Sequence, residues 1–157
     1  MSEEKACAKK ILVAIDGSEQ SMKAADYAIS LADKFNSKLV AVHVIDLSQL
    51  KLKGDTSGLI AGLINPLAEL EGARKESLHW INNVGKIAQL RHIQFASEII
   101  EEVVPRIGGV IVNYAEKKMV DLIVIGTRGQ SGFKKLLIGS VASDVLHYAH
   151  CPVMIVK

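Results

Sequence analysis

Lys10-Ile11-Leu12-Val13-Ala14-Ile15-Asp16, followed at once by Gly17-Ser18, is the stretch on which the fold turns. A half-exposed strand would alternate apolar with polar residues. An unbroken apolar run closed by Asp-Gly instead reads as a strand buried on both faces, which is the habit of parallel sheets. Gly17-Ser18 then opens a helix in which Met22, Ala25, Ile29, Ala32 and Phe35 recur at steps of three and four, marking its inner face.

The same alternation continues outward from that unit. Residues 39–46 form a second buried-type strand, Leu39-Val40-Ala41-Val42-His43-Val44-Ile45-Asp46. Asn65-Pro66 is a helix start, a cap followed by proline at the first helical position, and Leu67, Leu70, Ala73, Ile81, Val84 and Ala88 carry one face to about Leu90. The next strand covers residues 93–96, and whether it continues towards Val104 is left open by Glu101-Glu102. Gly108-Gly109 precede a helix with Val110, Ile111, Tyr114 and Ala115 inward. Strands at residues 121–126 and 152–156 flank a last helix from about Ser140 to His150. Five strands alternating strictly with four helices predict a single α/β domain over residues 1–157. Right-handed crossovers make it a Rossmann-like open parallel sheet with helices on both faces.

Composition excludes several classes. At 157 residues the chain can bury a core without a disulfide or metal staple, and Cys7 and Cys151 stand in no metal-like spacing. Charged residues are 23% and the formal net charge is +2, too little for a whole basic face along nucleic acid. Aromatics at 4% argue against stacking platforms, so no nucleic-acid partner is expected. Mean hydropathy is positive, +0.24, yet no apolar run reaches the ~18–20 residues of a spanning helix. The start, Met1-Ser2-Glu3-Glu4-Lys5, is not a signal peptide. A cytoplasmic protein with no membrane partner is the expectation.

The chemistry concentrates in Gly126-Thr127-Arg128-Gly129-Gln130-Ser131-Gly132-Phe133-Lys134-Lys135-Leu136-Leu137-Ile138-Gly139-Ser140-Val141-Ala142. It leaves a buried strand, passes several glycines and ends where a helix begins. Phosphate binding needs converging backbone N–H groups; glycine allows the close approach, and a helix start adds unpaired amides and a positive dipole end. Ser131 and Ser140 can donate hydroxyls, and Arg128, Lys134 and Lys135 can neutralise charge. Neither GxxxxGK[ST] nor GxGxxG is matched. The plain alternative is a strand–turn–helix connection that uses glycine for its turns.

Gly126-x2-Gly129-x9-Gly139-Ser140 resembles the nucleotide-binding motif of the universal stress protein family. The resemblance extends to a first strand ending in Asp16, to Val42-His43-Val44-Ile45-Asp46, and to the closing Cys151-Pro152-Val153-Met154-Ile155-Val156. It implies a Rossmann-like five-stranded sheet and, with the full motif, binding of ATP (or AMP or ADP) together with Mg²⁺. By that resemblance Gly126, Gly129, Ser131, Gly139, Ser140 and Val141 contact phosphate and ribose. Thr127, Arg128, Gln130, Gly132 and Ala142 are backbone contacts in the same loops. Asp16 lies near ribose or the metal, and Ala14 and Val44 flank adenine. Family members commonly dimerise through the last strand, so a homodimer through Val153–Val156 is implied. The chain departs from the family at Gly108-Gly109, where a more helix-favouring start is usual, and in the long glycine-containing segment at residues 47–64.

Several residues carry a second reading. Asp16 could cap the first helix with Glu19 as partner. His43 is expected to be a packed, hydrogen-bonded histidine, and Trp80 and Phe95 core. His147, His150 and Cys151 match no common zinc spacing. Residues 47–64 are read as a flap over the site rather than an idle loop. Three functions stay open on the residues: a nucleotide-responsive regulatory or stress-tolerance factor acting on a protein partner, a slow Mg²⁺-dependent ATP hydrolase, and a nucleotide-independent dimeric interaction module.

Overall fold

In the computed structural model, which describes residues 8–51, 66–128 and 138–157, the opening apolar run becomes the central strand β1 (Lys10–Ala14). It leads into α1 (Glu19–Phe35), β2 (Lys38–Asp46) and a short 3-10 turn (Gln49–Lys51). Then follow α2 (Pro66–Leu90), β3 (Phe95–Glu102), α3 (Ile107–Lys117), β4 (Leu122–Gly126), α4 (Ser140–Tyr148) and β5 (Val153–Val156). The sheet is parallel throughout, in the order β3-β2-β1-β4-β5, with Ile11 opposite both Leu39 and Leu122. The chain therefore builds outward from β1 to β3, returns to the centre and builds outward again.

Alternate residues of the central strands feed two separate cores. Ile11, Val13, Leu39, Ala41 and Val124 meet Ala24, Ala28 and Ile29 of α1 and Val84 and Ala88 of α2. Leu12, Val40, Val42, Ile123 and Ile125 meet Ile111 and Ala115 of α3 and Val145 of α4. Each fully buried Leu, Ile or Val contributes about 1.5–3 kcal/mol relative to exposure, so β1, β2 and β4 fix the register from both faces at once. A one-residue slip would exchange the two cores.

The outer strands lack the two-sided burial of the central ones. β3 exposes Ser97, Glu98 and Glu102, and Val153, Met154 and Ile155 of β5 are half-buried, because each lies at a sheet edge with one neighbour. The open question about Glu101-Glu102 is answered: β3 runs to Glu102 in register with Asp46. Phe35 sits in the last turn of α1 and is exposed, not inward; the helix ends one residue later at left-handed Asn36, whose amide reaches Ala32 and Asp33. α4 stops at Tyr148 rather than His150.

Gly108 and Gly109 lie inside α3 and not before it. A side chain at Gly108 would stand 2.4 Å from Asp144 Cβ and 3.0 Å from the Val141 carbonyl, whereas one at Gly109 would meet nothing within 4 Å. The first glycine is thus a close-approach residue that seats α3 against the start of α4, and Arg106 clamps the contact with an ion pair to Asp144 at 3.0 Å.

Candidate functional site

Because strand order reverses between β1 and β4, the crevice outside their carboxyl ends is where an open α/β sheet offers a ligand space. Two helix starts converge there. β1 ends at Ala14, two residues short of Asp16, and Gly17 turns the chain in the left-handed region at φ +77°. A Cβ at Gly17 would lie 2.2 Å from the Trp80 ring, so glycine is required by both conformation and space. Asp16 does not cap α1. Its Oδ1 accepts from the Ser18 amide at 3.0 Å and the Ser18 hydroxyl at 2.6 Å, and Ser18 is the N-cap, accepting from the Ser21 amide at 3.2 Å. Asp46 and Ser48 repeat this turn at the end of β2, at 3.0 and 2.7 Å; those bonds and the Val104 amide hold the Asp46 carboxyl below its ordinary range.

The second start is α4. Thr127, buried beyond the end of β4, donates its amide to the Val156 carbonyl at 2.8 Å, and its own carbonyl accepts the Gly139 amide at 2.7 Å. This pair joins the two ends of the glycine loop. Gly139 is the N-cap, in extended backbone, and has no side chain to return a bond. The first intrahelical bond runs from the Ser143 amide to Gly139, so the amides of Ser140, Val141 and Ala142 have no helical acceptor. They face the crevice end with the positive end of the helix dipole. Gly126 closes the floor: a Cβ there would press 2.8 Å from the Gln20 backbone, which brings α1 hard against β4.

The predicted residues separate into two groups. The structure brings together Asp16, Gly126, Thr127, Arg128, Gly139 and Ser140 at the carboxyl ends of β1 and β4; the Ser18 hydroxyl lies 3.4 Å from the Arg128 carbonyl. Ala14, Val44, Val141 and Ala142 share one apolar cluster on the α3/α4 side. Gly129, Gln130, Ser131 and Gly132 lie outside the described residues, as do Lys134, Lys135 and Cys7. Residues 47–64 are described only as far as Lys51.

The sequence reading did not find the support beneath Asp16. His43 Nδ1 lies 2.6 Å from the Ile15 carbonyl and its ring meets Trp80 edge-on with centroids 5.5 Å apart. Burial pushes the His43 imidazole below its usual pKa, against the opposing pull of the Ile15 carbonyl and of Asp16. The histidine is packed and hydrogen-bonded as expected, and it braces the loop that carries Asp16. Trp80 is half-buried and contacts residues far away in sequence, a pairing for which no local pattern exists.

A concavity of about 860 Å³, lined by His79, Asn82, Lys86, His92 and Phe95, lies at the opposite end of the sheet and contains none of these residues. We place the site by the converging backbone groups, since phosphate cradles are shallow and made of amides. Among the described residues no group of three His, Cys, Asp or Glu side chains is placed to hold a metal ion.

Comparison with known proteins shows the family and the fold. Residues 8–157 match the model of the universal stress protein family. The chain is 39% identical over 152 residues to universal stress protein MJ0531 of Methanocaldococcus jannaschii, covering 95% of this chain and 82% of that protein. The solved structure of protein MJ0577 from the same organism matches with a TM-score of 0.73 at 26% identity, with 95% of each chain covered. Two more distant structures share the fold. One is a universal stress protein in complex with cAMP, with a TM-score of 0.67 at 20% identity, covering 96% of this chain and 98% of that one. The other, from Archaeoglobus fulgidus in complex with dAMP, has a TM-score of 0.62 at 19% identity, covering 94% and 97%. With residues 8–157 matched by the family model and the fold shared with solved members, the chain belongs to the universal stress protein family.

Proposed function

We propose that this chain binds an adenine nucleotide, ATP in the first place and AMP or ADP as alternatives, and acts as a nucleotide-responsive regulatory or stress-tolerance factor. The observation that carries the reading is the open start of α4, tied through Gly139 and Thr127 to the end of β4 beside the Asp16–Ser18 turn. Related proteins solved with cAMP and dAMP support an adenine nucleotide as the ligand class.

In this reading the amides of Ser140, Val141 and Ala142 and the Ser140 hydroxyl hold phosphate, with Gly126, Gly129, Gly132 and Gly139 keeping side chains out of the way. Arg128 and Ser131 add donors, and Thr127 and Gln130 contribute backbone groups. Ala14 and Val44 supply the apolar wall for the base, and Asp16 stands where a phosphate-bound Mg²⁺ would be held. Mg²⁺ would neutralise phosphate charge; Asp16 is presented to it by Ser18, which fixes one carboxylate oxygen. Signalling then works by population shift: the nucleotide favours one arrangement of the glycine loop and so alters a partner surface, to the extent of its differential affinity. The edge strand β5, in which Val153, Met154 and Ile155 are half-buried, is the proposed homodimer contact.

Titration calorimetry with ATP and Mg²⁺ tests the reading, together with mass spectrometry of nucleotide released from heat-denatured protein. Saturable binding that Gly129→Val abolishes while the dimer persists supports it. No released nucleotide and no measurable heat of binding overturn it in favour of a nucleotide-independent module. Steady turnover of ATP, lost in Asp16→Ala with affinity retained, would make the chain a hydrolase instead. Met154→Lys yields monomers in sedimentation if β5 is the dimer contact.

A further inference from the structure

We propose that the amino end of the sheet, opposite the nucleotide site, is a docking surface for an anionic lipid membrane. All five parallel strands enter at this end. Backbone bonds from Leu39 to Gln94, Lys38 to Lys9, Asp121 to Lys10 and Ile123 to Pro152 join their entrances in one row. At about 4.8 Å between strands the row spans roughly 19 Å. Lys9, Lys10, Lys38 and Lys118 stand along its middle, with Lys34, Lys86, Arg91 and Lys117 beside them. The three carboxylates nearby among the described residues offset little of this. Asp33 pairs with Arg91 at 3.6 Å, and Asp121 turns onto the Lys9 and Lys10 amides at 2.9 and 2.8 Å, leaving Glu116 as the third. The carboxyl end differs in mixing its charges: Asp16, Asp46, Glu101 and Glu102 stand there with Arg106, Arg128 and Arg74, which pairs with Glu101 at 2.5 Å.

Helix dipoles account for cations in the last turns of α1 and α3, and Lys10 donates its ammonium to the Lys118 carbonyl at the end of α3 at 2.5 Å, but neither accounts for Lys9. Dipoles also leave unexplained a second feature of the same end. Each of the four helices finishes there with an exposed large apolar side chain: Phe35, Leu90, Met119 and Tyr148, the middle two 81% and 76% exposed. Met119 even occupies a left-handed position, φ 52°, after α3, where glycine is the usual choice. Since α1 and α2 cover one face of the sheet and α3 and α4 the other, these four side chains stand at the corners and the lysines in the middle. A protein partner is met by the reverse anatomy, an apolar centre inside a polar rim. Dispersed apolar points around a cationic centre suit a continuous anionic surface with an acyl layer beneath it. No described helix is long and apolar enough to cross a membrane, and surface contact requires none.

Co-sedimentation of the full chain with phosphatidylglycerol-containing vesicles and with pure phosphatidylcholine vesicles tests this. Binding is expected to the anionic vesicles alone. It should weaken as the Debye length falls from about 30 Å in 0.01 M salt to about 3 Å in 1 M. K9E/K118E should lower the partition coefficient about tenfold or more, and L90S/M119S should remove whatever binding survives high salt. Unaltered circular dichroism and thermal melting of each variant establish that the fold is intact, and this readout is independent of the nucleotide reading. Equal binding to both vesicle types, none to anionic vesicles at low salt, or retention on heparin without vesicle binding would each overturn the proposal.

Discussion

α1 and α4 begin within the same crevice, at the ends of β1 and β4, yet one start is finished and the other is not. At α1 the Ser18 hydroxyl accepts the Ser21 amide, Asp16 holds Ser18 through two bonds, and Trp80 packs under Gly17. At α4 the cap is Gly139, and three amides are left to solvent or ligand. The difference teaches how one fold assigns two jobs to equivalent positions. A closed start adds stability to the scaffold; an open start keeps donors available for binding. Stability and affinity should therefore respond in opposite proportions at the two helices.

Gly17→Val attacks the closed start and has the largest expected effect. It combines left-handed strain with a Cβ 2.2 Å from the Trp80 ring. The loss should be about 3 kcal/mol or more, a fall in Tm of about 6–12 °C. A melting curve unchanged from the parent would show that the Trp80 contact does not hold the loop.

Gly139→Asp closes the open start. Its backbone is extended, so any residue can adopt it, and the new Cβ meets the Thr127 carbonyl at 3.2 Å, a tight but tolerable contact. Stability should change by no more than about 1 kcal/mol, because an aspartate cap exchanges for a glycine one at small net cost. Affinity for ATP should drop about a hundredfold, since the new carboxylate takes the amides and repels phosphate. Wild-type affinity in calorimetry would mean that phosphate is held elsewhere.

Ser18→Ala sharpens the contrast at smaller scale. Loss of the cap should cost about 1 kcal/mol and lower Tm by about 2–4 °C. Gly139→Ala, with no side-chain cap to lose, should move Tm less. Equal shifts in a matched pair of thermal scans would erase the distinction between the two starts.

How much of this was legible in the sequence follows from how local each signal is. β1, β2 and β4 were readable because burial on both faces leaves an unbroken apolar run. β3 was ambiguous because an edge strand exposes residues such as Ser97, Glu98 and Glu102. The existence of the glycine loop and of the helix after it could be read from spacing alone, and Gly139 and Ser140 stand where expected. The choice of Ser18 over Asp16 as cap could not, since both residue types cap helices and only the turn geometry separates them. Gly108 read as a weak helix start because its reason, Asp144, lies thirty-six positions away. His43 and Trp80 brace Asp16 from β2 and α2, a convergence that exists only once the sheet order is known.

His43 supplies the smallest effect and the one that separates scaffold from site by titration alone. Its pKa in the fold lies below the ordinary 6.5 because burial penalises the charged ring. The unfolded chain therefore binds more protons as pH falls through 6.5. Stability from the neutral, buried ring is fully present above that value and is lost progressively below it. Denaturant unfolding at about pH 7.5 and about pH 5.5 should show the loss, with a slope of at most about 1.4 kcal/mol per pH unit for one proton. Asp46 and Glu101 have lowered pKa values, so their contributions disappear only at more acidic pH and do not enter this window. His43→Gln keeps a side-chain donor for the Ile15 carbonyl and cannot gain the charge, so this component of the slope should vanish. An identical slope in the variant would assign the pH dependence to other groups. It would also remove the ring from its role under Ile15, and the closed start would then depend on Gly17, Ser18 and Trp80 without it.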